Sequence, residues 1–262
     1  MTASQADKMY RVFLTAEFDG TDFVGFQSQT NGRAVQDEIE KALKQVYKED
    51  IRITGCSRTD AGVHARGHVS HADVPFFIPE DKIPLALNPW LPDDLKIRSA
   101  RYVPENMSAR FDNMGKRYIY RIYTGATQSP LLRRYAYYCA HTPDIAKMKE
   151  AASHFKGMHN FKAFCASGST QTTFERRLYS VTVEEAPSGV IEIEVRGEAF
   201  LYNMVRIIAG TLLYAGLGKI SPDEIPEIIR SMDRKRAGMT LPPEGLTLEE
   251  VFFERPGGYD LY

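Results

Sequence analysis

The order of strand-like and helix-like segments constrains the fold of this chain most strongly, because a similar order occurs twice. Strand-like segments alternate apolar and polar side chains, and helix-like segments place apolar side chains three or four residues apart. The first set is a strand, a helix, two strands, a short helix and a strand, at residues 10–18, 34–47, 51–55, 68–74, 79–87 and 96–103. The second set is a strand, a helix, a hairpin, a long helix, a short helix and a strand, at residues 117–123, 144–156, 177–196, 199–217, 222–231 and 248–253. This order predicts an α+β fold of two similar halves.

Length and linker composition bound the domain organisation. With 262 residues, of which 43% are hydrophobic, the chain can bury a sizeable core. No long glycine- or serine-rich segment separates the halves, so we expect them to be joined tightly. We predict a flexible tail over residues 1–9, an N-terminal half over 10–105 and a C-terminal half over 106–262, with a ligand-binding cleft between the halves.

Charge is distributed unevenly along the chain, although the formal net charge is only -1. Residues 98–134 contain eight basic and two acidic side chains, and four tyrosines lie among them. The basic residues are Arg98, Arg101, Arg110, Lys116, Arg117, Arg121, Arg133 and Arg134. Arginine contacts with phosphate and aromatic stacking on unpaired bases are typical of proteins that hold structured RNA. The alternative is the solvated face of a strand pair.

Cysteine content and hydropathy indicate a cytoplasmic protein. The three cysteines are far apart in sequence and form no Cys-x-x-Cys pair, so neither a structural zinc site nor a disulfide framework is expected. Residues 1–8 contain no apolar run of the kind that signal peptides have. The longest mostly apolar stretch, residues 199–217, carries Arg206 in its interior. Because a charge is costly inside a bilayer, we expect a buried core helix there and no membrane span.

Residues 57–65, Ser-Arg-Thr-Asp-Ala-Gly-Val-His-Ala, place one carboxylate between a guanidinium and a glycine. Asp60 is predicted to lie in a tight connection between two strands, and Arg58 points to the same side of an extended backbone. A neighbouring cation keeps an aspartate ionised and positioned, which suits nucleophilic or general-base chemistry. The alternative is a capped turn, because Asp-Ala-Gly is a common turn composition.

Six segments in the same order resemble the TruA family of tRNA pseudouridine synthases. They are FDGTDFVGFQ at 18–27, SRTDAGVHA at 57–65, SARFD at 108–112, KRYIYR at 116–121, GMHNF at 157–161 and AFLYNMVR at 199–206. The resemblance extends from about residue 10 to about residue 253. It implies antiparallel sheets with helices packed on them, and an RNA-binding active site between the halves.

The chain departs from the usual family pattern at four places. Ser57 stands where the family usually has glycine, and Phe26 where it usually has tryptophan. Asn160 replaces a usual aspartate, and residues 241–243 replace an Ala-Pro-Ala-like stretch. None of these changes Asp60, so activity is expected. We expect the changes at Ser57 and Phe26 to bear on loop shape or base stacking.

The resemblance implies isomerisation of uridine to pseudouridine at positions 38, 39 and 40 of the tRNA anticodon stem-loop. The N1–C1′ bond breaks, the uracil turns, and C5 is joined to C1′. Because there is no net redox change or group transfer, no cofactor or metal is expected, and the chain has no phosphate-loop or dinucleotide motif. Asp60 would act near the sugar, where positive character develops. Covalent adduct formation and removal of a sugar proton both remain open.

The resemblance also assigns roles to further residues. It makes Tyr118 the tyrosine that lies against the uracil, and Arg206 the arginine that pairs with the aspartate. Arg58 would reach into the RNA as the target base leaves the stack, and Arg110 and Lys116 would also bind substrate. From the residues alone, a cross-strand aromatic at Tyr118 and an Arg206 side chain that extends to solvent are open alternatives. The family further implies a homodimer that contacts one tRNA.

Three competing interpretations are open at the level of sequence. His64, His68 and His71 suggest a metal site, but no nearby carboxylate or cysteine completes a ligand set. A non-catalytic RNA-binding protein or tRNA-folding chaperone would keep the fold without using Asp60. An acid-dependent hydrolase needs a second carboxylate, for which Asp73 is the nearest later candidate.

Overall fold

The computed structural model describes residues 8–254, which form two compact units. The first unit contains residues 8–113 and 248–254, and the second contains residues 114–247. The helices are α1 (Val35–Tyr47), α2 (Ile83–Leu87), α3 (Ile145–Ser153), α4 (Met204–Gly216) and α5 (Ile225–Ser231). The strands are β1 (Tyr10–Phe18), β2 (Thr54–Gly55), β3 (His64–Val74), β4 (Leu95–Tyr102), β5 (Gly115–Thr124), β6 (Tyr137–Cys139), β7 (Gly157–Asn160), β8 (Glu175–Glu185), β9 (Val190–Gly197) and β10 (Leu246–Phe252).

The first unit is built on antiparallel strands. β1 lies between β4 and β3, and β10 lies on the other side of β3. The short strand β2 also pairs with β3, so the chain leaves the sheet at Gly55 and re-enters it at His64. This connection carries the candidate catalytic aspartate. Helix α1 buries its apolar side chains, including Val35, Ile39 and Leu43, as their spacing predicts.

The second unit is built on the strand order β5, β9, β8, β7, with each neighbouring pair antiparallel. Strand β6 adds a short parallel pairing to β5. Helix α3 packs against β8 and α4, and α4 also contacts β5. Helix α4 is apolar on nearly all sides, as a helix buried within the unit must be.

The sequence predicted the fold class and most elements correctly. The α+β prediction with largely antiparallel strands is confirmed. β3 starts four residues earlier than predicted, because His64 and Ala65 are both buried and break the alternation that marks a half-buried strand. Strands β6 and β7 were not predicted; they are three and four residues long, and β7 begins with a glycine at φ 114°. The predicted strand over 51–55 forms only at Thr54–Gly55.

The apolar stretch at 199–217 forms a shorter helix than predicted. Asn203 adopts φ 59° in the left-handed region, and α4 begins at the next residue. No helix within residues 8–254 combines the length and the hydropathy needed to cross a bilayer.

The compact units differ in their boundaries from the predicted halves at 10–105 and 106–262. The first unit continues to residue 113, and residues 248–254 belong to it although they come last in the described chain. The predicted division into two functional domains therefore stays a prediction. Most of the predicted tail over 1–9 lies outside the described residues.

Candidate active site

Asp60 lies in the connection between β2 and β3, where the sequence placed it. Its carbonyl oxygen accepts a hydrogen bond of 3.2 Å from the Val63 amide, which closes a turn through Gly62 at φ 79°. Asp60 is half-buried, and Arg58 in the same loop is exposed. The loop therefore presents a guanidinium to solvent and holds its carboxylate closer to the protein.

Residues 20–26 form a support beneath the Asp60 loop. The Phe26 amide donates to the Thr59 carbonyl at 3.2 Å, and the Gly62 amide donates to the Phe23 carbonyl at 3.3 Å. A Cβ atom at Gly25, whose φ is 114°, would lie 2.5 Å from the Thr59 oxygen. Only glycine fits this close approach. The first of the six family-like segments, residues 18–27, therefore supports the backbone of the second, residues 57–65.

The same support also begins helix α1. This helix has no side-chain cap, but the Val35 amide donates to the Gly25 carbonyl at 3.2 Å and the Gln36 amide to the Phe26 carbonyl at 2.9 Å. These bonds satisfy amides that the first turn of a helix leaves without partners. Gly25 and Phe26 consequently connect the Asp60 loop to a rigid helix.

His68 holds the entry to the Asp60 loop from strand β3. Its Nε2 lies 3.0 Å from the Ser57 carbonyl oxygen, which can only accept, so the proton is on Nε2. Its ring is fully buried and stacks on Phe26, with centroids 3.9 Å apart and planes inclined by 19°. The expectation that Phe26 bears on base stacking is wrong, because Phe26 is 3% exposed and stacks inside the protein. Two of the four departures from the family pattern, Ser57 and Phe26, therefore contact His68.

The other two strand histidines serve as hydrogen-bond acceptors, whereas His68 donates. His64 Nδ1 accepts from the Gly20 amide at 3.0 Å, and His71 Nδ1 accepts from the Ala109 amide at 3.1 Å. Each histidine thus ties β3 to a different segment of the first unit. Within residues 8–254, no three His, Cys, Asp or Glu side chains are grouped as metal ligands.

Arg110 lies in a tight turn at the end of the first unit. The turn is closed by the Asp112 amide, which donates to the Ser108 carbonyl at 3.0 Å, and by the Asp112 carboxylate, which accepts from the Ser108 amide at 2.6 Å. Arg110 is exposed, and its guanidinium carbon lies 5.5 Å from the centroid of the Phe111 ring. The sequence singled out Arg110 but not the aromatic ring beside it.

Lys116 and Tyr118 lie on strand β5 of the second unit. They are separated by one residue and therefore share a face of the strand. Both are buried, with 7% of each exposed. The Tyr118 ring meets the Phe200 ring edge to face, with centroids 5.0 Å apart. Packing within its unit therefore holds the Tyr118 ring at a fixed angle.

Arg206 projects from the first turn of α4 and is held by two groups of its own unit. Its Nε donates to the Leu241 carbonyl at 2.7 Å, and one terminal nitrogen donates to the Asn203 side-chain oxygen at 2.6 Å. The interior arginine therefore has the partners that its burial requires. The left-handed Asn203 was not anticipated; an asparagine directly before a helix is the signal that could have revealed it.

The segment that holds Arg206, residues 238–241, packs closely against α4. A Cβ atom at Gly210 would overlap the Met239 oxygen, and the Gly238 amide donates to the Thr211 hydroxyl at 2.8 Å. The contact to Arg206 uses a backbone carbonyl, so the unusual residues at 241–243 do not remove it.

Tyr120 fastens the same segment to strand β5. It donates its hydroxyl to the Pro242 carbonyl at 2.7 Å. Burial raises the pKa of Tyr120, and Glu244 raises it further, so the phenol stays protonated as a donor. The residues that hold Arg206 are therefore tied to both the helix and the sheet of the second unit.

The basic and aromatic tract at 98–134 is less uniform in the structure than in the sequence. Tyr120 is fully buried and Tyr123 is 5% exposed, so neither can stack on a base. Arg121 pairs with Glu192 at 2.8 Å across neighbouring strands. These three residues serve packing and pairing within the second unit, so neither an RNA-binding surface nor a solvated strand face describes the tract as a whole.

The structure thus places the candidate residues in two groups. Arg58, Asp60 and Arg110 lie in the first unit, and Lys116, Tyr118 and Arg206 lie in the second. Arg58 and Asp60 share one loop, and Lys116 and Tyr118 share one strand. Gly25 and His68 were not selected as supports from the sequence, because their roles depend on contacts between distant segments, whereas Asn203 contacts Arg206 three residues away.

Comparison with known proteins identifies the family of this chain. Residues 14–112 and 151–254 match the model of a protein family described as tRNA pseudouridine synthase. Similar proteins include tRNA pseudouridine synthase A of Acetivibrio thermocellus, which is 46% identical over 245 residues that cover 94% of this chain and 100% of the relative. The enzymes of that name from Ruminiclostridium cellulolyticum (44%, with the same coverage) and Bacillus subtilis (43%, covering 93% and 99%) are also similar. The matched ranges contain the Asp60 loop and helix α4, whereas Lys116 and Tyr118 fall between them.

Proposed function

This chain belongs to the tRNA pseudouridine synthase family, and from that premise we propose that it converts uridine to pseudouridine at positions 38, 39 and 40 of the tRNA anticodon stem-loop. Family membership makes it an isomerase. The observation that carries the proposal is the Asp60 loop, which carries one carboxylate on a backbone that is held by hydrogen bonds and close glycine packing. A loop fixed in this way is suited to placing one group accurately against a substrate.

The chemistry needs few protein groups. The N1–C1′ bond breaks and a C5–C1′ bond forms, while C5 loses a proton and N1 gains one, so the atoms balance without a co-reactant. Positive character develops on the sugar as the first bond breaks, and the Asp60 carboxylate stabilises it. The carboxylate then either forms a covalent bond to the sugar carbon or removes a sugar proton.

Arg206 is proposed to act through the Asp60 carboxylate. A guanidinium beside a carboxylate keeps it ionised. The Leu241 carbonyl and the Asn203 side chain hold the guanidinium in one orientation, which a group that positions another group requires.

The remaining candidate residues are proposed to hold the nucleotide. Tyr118 lies against the uracil, fixed by its edge-to-face contact with Phe200. Exposed Arg58 enters the RNA as the target uridine leaves the stack. Exposed Arg110 binds the RNA backbone, and Lys116 adds a contact through the 7% of its surface that is accessible.

Replacement of Asp60 tests the proposal directly. We expect Asp60→Ala and Asp60→Asn to lower the rate of pseudouridine formation by at least about 10²- to 10⁴-fold, while tRNA affinity stays within a few-fold. Pseudouridine mapping of unmodified tRNA, incubated with each protein in the absence of added cofactor, measures this. Unchanged pseudouridine formation by Asp60→Ala would exclude the proposed role of Asp60.

The alternative function is a non-catalytic RNA-binding protein or tRNA-folding chaperone. It predicts that the wild-type protein binds tRNA and leaves every uridine unmodified. Modification outside the anticodon arm would keep the enzyme class and correct the position. The hydrolase interpretation is disfavoured because the Asp73 carboxylate is already held by Arg11 through two hydrogen bonds of 2.8 and 2.7 Å.

The assembly and the location are further proposals, which rest on the family resemblance. A homodimer in the cytoplasm, with one tRNA contacting both protomers, is the arrangement we propose. Sedimentation at several protein concentrations tests the dimer, and a monomer at micromolar concentration contradicts it.

A further inference from the structure

Phe111 is the most exposed aromatic side chain among residues 8–254, with 78% of it accessible to solvent. Its neighbours on the turn do not form an apolar patch. Arg110 and Asp112 are exposed, and Ala109 is fully buried. A protein partner would bind an apolar ring more strongly if further apolar side chains surrounded it. A single ring among polar groups suits a ligand that has a flat apolar face and polar edges.

The turn that carries Phe111 is fixed at both ends. On its N-terminal side, one terminal nitrogen of Arg11 donates to the Met107 carbonyl at 3.2 Å, and the Ala109 amide donates to His71 at 3.1 Å. On its C-terminal side, the Asn113 side chain donates to the carbonyls of Ala109 and Arg110 at 3.0 and 2.8 Å. The exposed ring is therefore attached to a rigid backbone, so little conformational entropy is lost when it meets a ligand.

Arg110 supplies the second half of a binding element. Its guanidinium lies beside the Phe111 ring, so one rigid turn offers a cation and an aromatic face next to each other. The nearest carboxylate on the turn, Asp112, accepts from the Ser108 amide. A nucleotide has the matching features, because a base can stack on the ring while its phosphate meets the guanidinium.

We propose that Phe111 is a nucleobase-stacking residue that binds one unpaired base of the substrate tRNA, with the adjoining phosphate on Arg110. This inference rests on the proposed function, because it assumes that RNA is the ligand. It adds a stacking site on the first unit, outside the Asp60 loop.

Affinity measurements separate stacking from charge. We expect Phe111→Ala to weaken binding of unmodified tRNA by about 5- to 150-fold, the range found when base stacking on an aromatic is removed. Phe111→Tyr and Phe111→Trp should restore most of the affinity. Phe111→Ala should leave the salt dependence of binding unchanged, whereas Arg110→Ala should reduce its slope by about one ion. Leu85→Ala, which removes an apolar side chain that is 66% exposed in the same unit, is the control and should bind as wild type does.

A fluorescence measurement reports the contact itself. The chain has one tryptophan, Trp90, so the Trp90→Phe, Phe111→Trp double variant carries its only indole on the turn. Stacking on a base should quench this fluorescence as tRNA is added. Anticodon-loop nucleotides are then replaced one at a time by abasic nucleotides, and one of these replacements should abolish the quenching. The Phe111→Ala protein should bind that abasic tRNA no more weakly than it binds intact tRNA.

The outcomes are distinct from those that test the proposed function. Wild-type affinity of Phe111→Ala, or an unquenched indole in a saturated complex of the double variant, overturns the stacking site even if pseudouridine still forms. Weaker binding accompanied by dissociation of the protein into monomers also overturns it and identifies Phe111 as a contact between copies of this chain. Quenching of the indole in a wild-type-like complex that forms no pseudouridine would support stacking and reject the proposed activity.

Discussion

The loop around Asp60 and the turn around Phe111 lie in the same unit but are held in different ways. The Asp60 loop rests on backbone atoms of residues 20–26, where Gly25 allows an approach that no other residue permits. The turn at 108–113 is held largely by side chains, among them His71, Arg11 and Asn113. Backbone packing fixes position within narrow limits, whereas side-chain hydrogen bonds can be removed one at a time.

The difference corresponds to what each segment is proposed to do. A group that reacts must be placed to within a fraction of an ångström, because small displacements cost large factors in rate. A group that only stacks tolerates more movement, since a ring and a base can slide against each other. Substitutions beneath the two segments should therefore differ in severity and in the kinetic quantity that they change.

The largest effect is expected at Gly25. Gly25→Ala places a Cβ against the Thr59 oxygen and forces a side chain into a left-handed region, so we expect the free energy of unfolding to fall by about 2–6 kcal/mol. The displaced Asp60 loop should lower kcat strongly. Thermal denaturation and single-turnover pseudouridine formation measure the two effects.

Gly189→Ala is the matched control for Gly25→Ala. Gly189 also has a positive φ, of 77°, but no atom lies within 4 Å of the position its Cβ would take. We expect it to cost about 1–2 kcal/mol of stability and to leave kcat unchanged. If both variants lose the same stability and neither loses activity, the close packing on Thr59 does not hold the loop.

An intermediate effect is expected at His68. His68→Leu removes the donor to the carbonyl of half-buried Ser57, at a cost of about 1–3 kcal/mol. We expect kcat to fall roughly tenfold or more, with little change in KM, because the loop moves while the RNA contacts remain. His68→Gln can still donate and should recover most of kcat. Equal losses in the two variants would show that ring packing on Phe26, and not the hydrogen bond, positions the loop.

The smallest effect is expected at His71, beneath the Phe111 turn. Burial lowers the pKa of His71, the nearby Arg11 lowers it further, and Asp73 opposes them. The unfolded chain therefore binds this proton more readily than the folded chain does, so the free energy of unfolding falls as pH drops below about 6.5. His71→Asn keeps an acceptor for the Ala109 amide but cannot bind this proton. Between about pH 7.5 and about pH 5.5, the free energy of unfolding of the wild type should therefore fall by up to about 1 kcal/mol more than that of the variant. Parallel pH profiles of the two melting temperatures would contradict this.

The sequence predicted the strands and helices whose pattern is long and regular. β1 and α1 follow their patterns almost to the residue, since each buries a regularly spaced set of apolar side chains. The site was located through motifs, because Asp60 and Arg206 lie in segments that resemble a known family. The spacing around Asp60 alone could not distinguish a catalytic loop from a capped turn.

The supports of the site could not be predicted in the same way. Gly25 and the Asp60 loop are distant in the chain, and nothing local to either marks their contact. Phenylalanine is typical of protein cores, and only its solvent exposure distinguishes Phe111 from the buried Phe13 and Phe155. Burial is a property of the folded chain, so residues that act through exposure or through distant packing escape a pattern search.

The position of strand β10 has a consequence for how the protein is made. Residues 248–254 complete the first unit, and β10 lies next to β3 so closely that a Cβ at Gly67 would meet the Glu249 oxygen at 2.6 Å. A ribosome synthesises the Asp60 loop before the second unit, but residues 248–254, which contain most of the strand beside β3, emerge only after residues 114–247. The first unit therefore lacks its last strand while the whole of the second unit is synthesised, and a nascent chain released before residue 248 cannot complete the first unit.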